Sequence, residues 1–223
     1  MKIELNNQEL INHVNRQITN ILGGNDDISP YLDEALVRVK KCFDITKNKY
    51  YHDGMQSYFS HYHSGQYAIF LYYLSNTIYH RGDNSILANK IYYLNKILHS
   101  IDWYYEIELP EYFGVEHPLG SVLGRAKYSN GFFLYQGCTV GGNKGKYPVI
   151  GKNVILYSNV TILGDTNIGN NVLISTGTTI KDEIIPSNCI VFGKSPNIII
   201  KPKNRDYVDE IISGFWRIKG GEV

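Results

Sequence analysis

One histidine of this chain stands among residues that could carry out acid–base chemistry. His117 belongs to the stretch EHPLGSVLG, which spans residues 116–124 and begins with Glu116. An imidazole titrates near neutral pH and can take a proton from an attacking hydroxyl group. A carboxylate on its second nitrogen would hold the tautomer and stabilise the imidazolium. Glu116 and Asp102 are the candidates for that carboxylate.

The element that must position His117 is a repeat with a period of six residues. Large aliphatic side chains recur at one phase, and a small or β-branched side chain follows the first five by four positions. The large residues are Ile150, Leu156, Ile162, Ile168, Ile174 and Ile180, and the small ones are Val154, Val160, Thr166, Val172 and Thr178. This period fits neither a helix nor a lone strand, and it predicts a solenoid in which three short strands close a coil of about 18 residues. An ordinary β-sandwich with accidental spacing is the weaker alternative.

The rest of the chain divides around this repeat, and the predicted fold class is α+β. Helical periodicity predicts an α-helical domain over residues 1–101, followed by a β-helix over 102–200 and a C-terminal tail over 201–223. The six-residue period stops after Gly142 and resumes at Ile150, which predicts a loop that projects from one coil.

Composition excludes several classes of protein. The 223 residues include 22 basic and 21 acidic ones, and this balance argues against a dedicated nucleic-acid-binding or membrane-surface protein. The sequence has no apolar run of transmembrane or secretory type, so we expect no membrane span. The three cysteines are far apart, which argues against a disulfide framework or a zinc site and leads us to expect a protein of the reducing cytoplasm. Cys138 occupies a small-residue position of the repeat, so we expect it to be buried and unreactive.

Histidines in the helical half could be imagined as a metal site. His52, His61 and His63 lie near Asp53 in the sequence. Because His61 and His63 are two residues apart, they do not share a helix face. We interpret them as polar helix surface and expect no metal.

Several motifs resemble those of the serine acetyltransferases, members of the hexapeptide-repeat acyltransferase family built on a left-handed parallel β-helix. EHPLGSVLG resembles the family segment that carries the catalytic histidine, here His117. Asp102 precedes it by fifteen residues, as the paired aspartate of the family does. TVGG at 139–142 resembles the family Thr-Leu-Gly-Gly. Asp53 matches in register an aspartate that reaches the amino-acid substrate of the family.

The departures from the family lie on the acceptor side. The loop NKGKYPV is four residues shorter than its family counterpart, and Lys146 and Tyr147 stand where the family has an arginine and a histidine that help to bind serine. Glu116 replaces an aspartate, and Pro118 replaces a small residue. A lysine can hold a carboxylate only as a point charge, without the planar fork of arginine.

The resemblance implies acetyl-CoA as co-substrate, bound along a groove between the β-helices of a homotrimer, possibly a hexamer. Ser158 and Thr176 would face its pantetheine arm, and the backbone N–H of Gly142 would stabilise the oxyanion. Lys181 and Lys194 would meet its phosphates, unless they are simply a solvated basic surface.

Three functions remain open from the sequence. The first is transfer of acetyl to L-serine with a histidine general base and no acyl-enzyme. The second keeps the reaction but uses a sugar hydroxyl of a surface polysaccharide as acceptor. The third is a non-catalytic trimeric β-helix scaffold, which gives His117 and Asp102 no role.

Overall fold

The computed structural model describes residues 1–217. Four helices form most of the N-terminal half, and two short strands pair in parallel beside them. The elements are β1 (Lys2–Ile3), α1 (Asn7–Leu22), α2 (Ser29–Ile45), β2 (Tyr58–Phe59), α3 (Ser64–Arg81) and α4 (Ser85–His99). The predicted helical character of this half is confirmed.

Helix α3 is the central helix of this half. Its residues from Gly65 to Ile78 are all buried. Their side chains are apolar or uncharged, as expected of a helix covered on every side. The imidazole of His63 caps its N-terminus, and Gly82, in the left-handed conformation, ends it. Helices α2 and α4 both pack against α3, and its first turn lies beside Val115 of the second half of the chain.

The second half is a parallel β-solenoid, as the repeat predicts. Its strands are β3 (Asp102–Trp103), β4 (Phe113–Val115), β5 (Val122–Leu123), β6 (Phe132–Leu134), β7 (Thr139–Gly141), β8 (Val149–Ile150), β9 (Val154–Leu156), β10 (Thr161–Leu163), β11 (Asn167–Ile168), β12 (Val172–Ile174), β13 (Thr179–Lys181), β14 (Ile184–Ile185), β15 (Cys189–Lys194) and β16 (Asn197–Pro202). Strands of successive coils pair in parallel, for example Val154 with Val172 and Thr161 with Thr179, which are 18 residues apart as expected.

The side chains at the two repeat phases fill the solenoid. All six large aliphatic residues and all five small residues of the pattern are buried. Asparagines stand at corners where the backbone has positive φ, among them Asn153, Asn159 and Asn171, because asparagine tolerates this conformation better than most residues. Cys138 is also buried, and burial raises the pKa of its thiol, so it is no nucleophile at neutral pH.

The predicted loop between β7 and β8 is a tight turn. Asn143 and Lys146 exchange two backbone hydrogen bonds of 2.9 Å each. The turn leaves the solenoid at Gly142 and returns at Val149.

The segment expected to be a tail is structured as far as it is described. Strand β16 pairs antiparallel with β15 and extends to Pro202, and helix α5 (Arg205–Ile212) follows. Val208, Ile212 and Trp216 then cover an apolar face of the solenoid. A helix of only eight residues needs few apolar side chains to bury one face. Its amphipathic spacing is therefore hard to recognise in the sequence. Residues 218–223 lie outside the described residues.

The two halves share one hydrophobic core. A single cluster of buried side chains runs from Leu10 in α1 to Val191 in β15. Within residues 1–217, no helix combines the length and the apolar character required to cross a membrane.

Candidate active site

His117 lies in an insertion at one corner of the solenoid. Strand β4 pairs with β6 through Val115 and Leu134, and β5 pairs with β7 through Val122 and Thr139. Seven positions separate Val115 from Val122, whereas five separate Leu134 from Thr139. The first coil therefore has two extra residues at this corner, and the chain bulges outward at His117.

The backbone of this bulge is held in an uncommon conformation. His117 has φ of 50°, in the left-handed region that few residues other than glycine adopt. Both the N–H and the hydroxyl of Ser121 donate to the carbonyl of Pro118, at 3.1 and 2.6 Å. The indole of Trp103 donates to the same hydroxyl at 2.9 Å. Such strain persists only where the surroundings impose it, and it is concentrated at functional sites.

A cleft of about 490 Å³ separates the bulge from the helical half. Its residues come from the segment before α3, from the first turn of α3 and from the bulge. They are Asn48, Tyr50, Tyr51, Tyr62, His63, Ser64, Gly65, Val115, Glu116 and His117. One carboxylate and two imidazoles therefore meet in one concave site.

The second imidazole of the cleft is that of His63. Its Nδ1 accepts the N–H of Gln66 at 3.3 Å, so the neutral ring carries its hydrogen on Nε2. Burial lowers the pKa of His63, and the nearby His117 lowers it further. At neutral pH the ring is therefore an uncharged hydrogen-bond donor facing the cleft.

Tyr51 forms the floor of the cleft. The side chain is only 2% exposed, and its hydroxyl finds no hydrogen-bond partner among the described residues. Its ring packs edge-on against Phe43 at 4.8 Å and against His63 at 5.3 Å between centroids. Burial raises the pKa of Tyr51 far above its usual value, so the hydroxyl remains protonated.

Glu116 provides the negative charge of the cleft. Its backbone N–H donates to the carbonyl of Leu134 at 3.1 Å, which continues the pairing of β4 with β6. Burial, together with the charge and a hydrogen bond of Glu116, raises the pKa of Tyr135 to about 12. Glu116 therefore lies near the phenol of the next coil and lines the cleft.

Asp102 does not form the predicted hydrogen bond with His117 in this structure. Its two carboxylate oxygens accept from the hydroxyl of Tyr92 and from the ammonium group of Lys96, each at 2.6 Å. Burial opposes the charge of Asp102, but these two donors outweigh it and lower its pKa. Tyr92 and Lys96 are four residues apart on α4 and so share the helix face that meets strand β3. Asp102 fastens that helix to the solenoid, next to the coil that carries the bulge.

Asp53 lies outside the cleft. Its Oδ1 accepts the backbone N–H groups of Met55 and Gln56, each at 2.9 Å, and these bonds lower its pKa. The side chain closes its own exposed turn.

Lys146 and Tyr147 are not brought to the cleft within this chain either. The Lys146 ammonium lies 3.6 Å from the carboxylate of Asp165, and both side chains are exposed. The ring of Tyr147 packs over Gly142, where an added Cβ would come within 2.6 Å of it. Gly142 is thus covered by its own loop.

An exposed polar track descends from the bulge along the same corner. Ser158 donates to Thr176 at 3.4 Å between their hydroxyl oxygens, and these residues are 18 positions apart. Backbone bonds from Asn159 to Gln136 and from Gly177 to Ser158 continue the stack. Because neighbouring strands lie about 4.8 Å apart, the track from the bulge to Thr176 is roughly 14 Å long.

Two lysines stand at the far end of the solenoid. Lys194 pairs with Thr179, and the N–H of Lys181 donates to the hydroxyl of Ser195 at 2.9 Å. Both lysine side chains are exposed, and the Lys181 ammonium lies 4.0 Å from Asp182. They belong to the last coils, whereas His117 belongs to the first.

The repeat matches a known family of sequences. Residues 147–182 match the family described as bacterial transferase hexapeptide (six repeats). Over 121 residues the chain is 27% identical to a serine acetyltransferase of Synechococcus elongatus, covering 52% of this chain and 49% of that protein. Over 148 residues it is also 27% identical to a serine acetyltransferase of Staphylococcus epidermidis, covering 64% and 68%. The match thus spans about half the length of the first relative and about two thirds of the second.

Solved structures extend the likeness to most of the chain. A serine acetyltransferase of Neisseria gonorrhoeae superimposes with a TM-score of 0.68 at 22% identity, covering 90% of this chain and 83% of that one. A serine acetyltransferase in complex with CoA superimposes with a TM-score of 0.64 at 17% identity, covering 84% and 81%. The chain thus contains a hexapeptide repeat and has the fold of the solved serine acetyltransferases.

No motif of the sequence predicts the helical side of the cleft. His63, predicted to be polar helix surface, caps α3 and lines the cleft. Tyr51 and Gly65 belong to no motif. The available signal was the Ser-Gly pair after His63, because a polar residue directly before a long apolar helix predicts an N-cap.

Proposed function

We propose that the protein transfers an acetyl group from acetyl-CoA to the hydroxyl of L-serine. In this reaction, His117 takes the proton of the hydroxyl while the serine oxygen attacks the thioester carbon. The bond from that carbon to sulfur then breaks, and the imidazolium returns the proton to the CoA thiolate. The proposal involves no acyl-enzyme, and the buried thiol of Cys138 takes no part.

The arrangement of His117 and Glu116 in one cleft carries this proposal. A strained backbone holds the imidazole at the edge of a 490 Å³ site, where a small acceptor fits. Glu116 provides an anionic group that suits the ammonium group of an amino acid. The similarity to serine acetyltransferases supports the same acceptor.

The polar track below the bulge supports the choice of donor. The pantetheine arm of acetyl-CoA is linear and carries amide groups that can bond to exposed backbone and hydroxyl groups. Ser158 and Thr176 offer such groups below His117, and Lys181 and Lys194 offer positive charge for phosphates at the far end. We propose that the thioester lies at the bulge and the nucleotide lies near these lysines.

We further propose that the enzyme is a homotrimer. Lys146 and Tyr147 lie outside the cleft of their own chain, so these loop residues would contribute to acceptor binding only in the cleft of a neighbouring copy. Light scattering is expected to give three times the mass of the chain. A monomer with full activity would contradict this part of the proposal.

Removal of the imidazole tests the proposed base. We expect His117→Ala to lower kcat by about 10² to 10⁴, the usual range for loss of a general base. The matched control is His80→Ala, because His80 is half-exposed and pairs with Glu108 at 2.8 Å at the other end of α3. Retention of activity within a few-fold in His117→Ala would exclude this residue as the base.

One observation favours a sugar as the alternative acceptor. Tyr50 and Tyr62 line the cleft and are 57% and 83% exposed, so they present flat aromatic surfaces on which a sugar ring could pack. Turnover with sugars or nucleotide sugars, without turnover of L-serine, would establish this alternative. A scaffold without enzymatic function would show neither turnover nor measurable affinity for CoA.

A further inference from the structure

An amino-acid acceptor brings a carboxylate into the cleft, and this carboxylate needs a partner. Among the described residues that line the cleft, none is lysine or arginine. Glu116 is the acidic residue of the cleft, and its carboxylate would repel that of the acceptor. The partners that this chain itself offers to an acceptor carboxylate in its own cleft are therefore uncharged hydrogen-bond donors.

The first turn of α3 offers such donors. In the described part of the chain, the backbone N–H groups of Ser64 and Gly65 donate no hydrogen bond, whereas those of Gln66 and Tyr67 are bonded to His63. Free N–H groups at a helix N-terminus carry partial positive charge and favour anions. Helix α3 has 18 residues, and its first turn opens into the cleft.

Tyr51 provides a second, independent indication of a ligand at this place. Its hydroxyl is buried and unpartnered, although a buried hydroxyl without a partner is unfavourable. A Cβ added to Gly65 would lie 2.8 Å from the Tyr51 oxygen, so the hydroxyl lies against the first turn of α3. Any side chain at position 65 would crowd this hydroxyl, so only glycine allows the first turn of α3 to lie this close to it.

We propose that the N-terminus of α3 and the hydroxyl of Tyr51 bind the carboxylate of the acceptor. The donors are the N–H groups of Ser64 and Gly65, the Tyr51 O–H and the Nε2–H of the neutral His63. The acceptor ammonium then points to Glu116 and its hydroxyl to His117 across the cleft. This inference rests on the proposed amino-acid acceptor, and it assigns the carboxylate to α3 rather than to a cation of the loop.

A proline at position 64 removes one donor with little effect on the helix. Ser64 is the first residue of α3, where proline is favoured because its N–H would bond to no helical carbonyl. The preceding residue, His63, has extended backbone angles of −86° and 104°, which are compatible with a following proline. Ser64→Ala removes only the hydroxyl. Ser85→Pro makes the same change at the first position of α4 and controls for proline itself.

Equilibrium binding is the readout, since it does not depend on turnover. L-serine and L-serinamide, which lacks the carboxylate, are titrated by calorimetry into the intact protein. We expect Ser64→Pro to weaken the binding of L-serine by roughly tenfold, since a hydrogen bond to a charged group is lost. L-serinamide affinity should change by less than twofold in the same variant. Ser64→Ala should bind L-serine more tightly than Ser64→Pro, and Ser85→Pro should match the parent protein.

Tyr51→Phe provides a second test, because it should weaken ligand binding without lowering the stability of the protein. Loss of the hydroxyl should weaken the binding of L-serine but not that of L-serinamide. It should also leave the melting temperature equal or higher, because the free protein no longer buries an unpartnered hydroxyl. If the hydroxyl has only a structural role, Tyr51→Phe should lower the melting temperature and weaken the binding of both ligands alike.

The outcomes separate this inference from the proposed function. Equal effects of Ser64→Pro on L-serine and L-serinamide would overturn the carboxylate site, even if L-serine is acetylated. Carboxylate-dependent binding without acetyl transfer would uphold the site and contradict the reaction. Absence of L-serine binding to the parent protein would overturn both.

Discussion

At the scale of single residues, the cleft combines one strained histidine with one carboxylate. We predict that Glu116→Gln raises KM for L-serine by about tenfold or more, because the ammonium group loses its charged partner. KM for acetyl-CoA should change little. Initial rates over a range of both substrates test this prediction.

The matched control for this change is Glu111→Gln. Glu111 is exposed and pairs with Lys41 at 3.0 Å, away from the cleft. Equal KM values for L-serine in the parent protein and in Glu116→Gln would show that Glu116 does not contact the acceptor.

A motif of nine consecutive residues predicts His117 and Glu116 as site residues, and both line the cleft. The hydrogen bonds from Tyr92 and Lys96 to Asp102 could not be predicted from the sequence, because they depend on which face α4 presents to β3. The position of Tyr51 could not be predicted for a related reason. Its unpartnered hydroxyl becomes visible only when the packing around Phe43 and Gly65 is known.

At the scale of elements, helix α4 carries a buried histidine that links stability to pH. The Nδ1–H of His99 donates to the side-chain oxygen of Asn95 at 2.7 Å, and burial lowers the pKa of His99 from 6.5 to about 4. Between these values the unfolded chain binds more protons than the folded protein. The free energy of unfolding should therefore fall as the pH decreases from 6.5 toward 4, by up to about 1.4 kcal/mol per pH unit from this group.

His99→Asn should reduce this dependence, since asparagine does not titrate. Urea denaturation at a series of pH values between 7 and 4 measures it. The same substitution at the half-exposed His80 controls for the introduction of asparagine. An unchanged pH slope in His99→Asn would show that other groups account for the acid sensitivity.

The segment that follows α5 also stabilises the solenoid. Trp216 is 1% exposed, and its ring packs against Tyr112 and Phe133 at 5.3 and 6.0 Å between centroids. We predict that Trp216→Ala lowers the free energy of unfolding by about 3–5 kcal/mol, because it leaves a large cavity. Denaturant titration measures this loss.

Tyr207→Ala in α5 is the control, because that side chain is 40% exposed. It should cost less than about 1 kcal/mol, as is usual for surface positions. A similarly small loss in Trp216→Ala would show that the segment after α5 is not part of the cooperative fold.

At the scale of the whole molecule, the two halves differ in how far sequence specifies them. The six-residue period predicted the solenoid down to the buried face, because each coil repeats the same packing requirement. The helical half has no such repeat, so its helices were predicted but their arrangement around α3 was not. The cleft lies where the two halves meet, which explains why only its solenoid wall was recognised from sequence.

The measurement that tests the central claim most directly is release of CoA thiol from acetyl-CoA. It is followed with L-serine and, separately, with a panel of sugars and nucleotide sugars, in the parent protein and in His117→Ala. The account predicts rapid release with L-serine that is lost in His117→Ala. Silence with L-serine together with turnover of a sugar would contradict it, and so would release with L-serine that does not depend on His117.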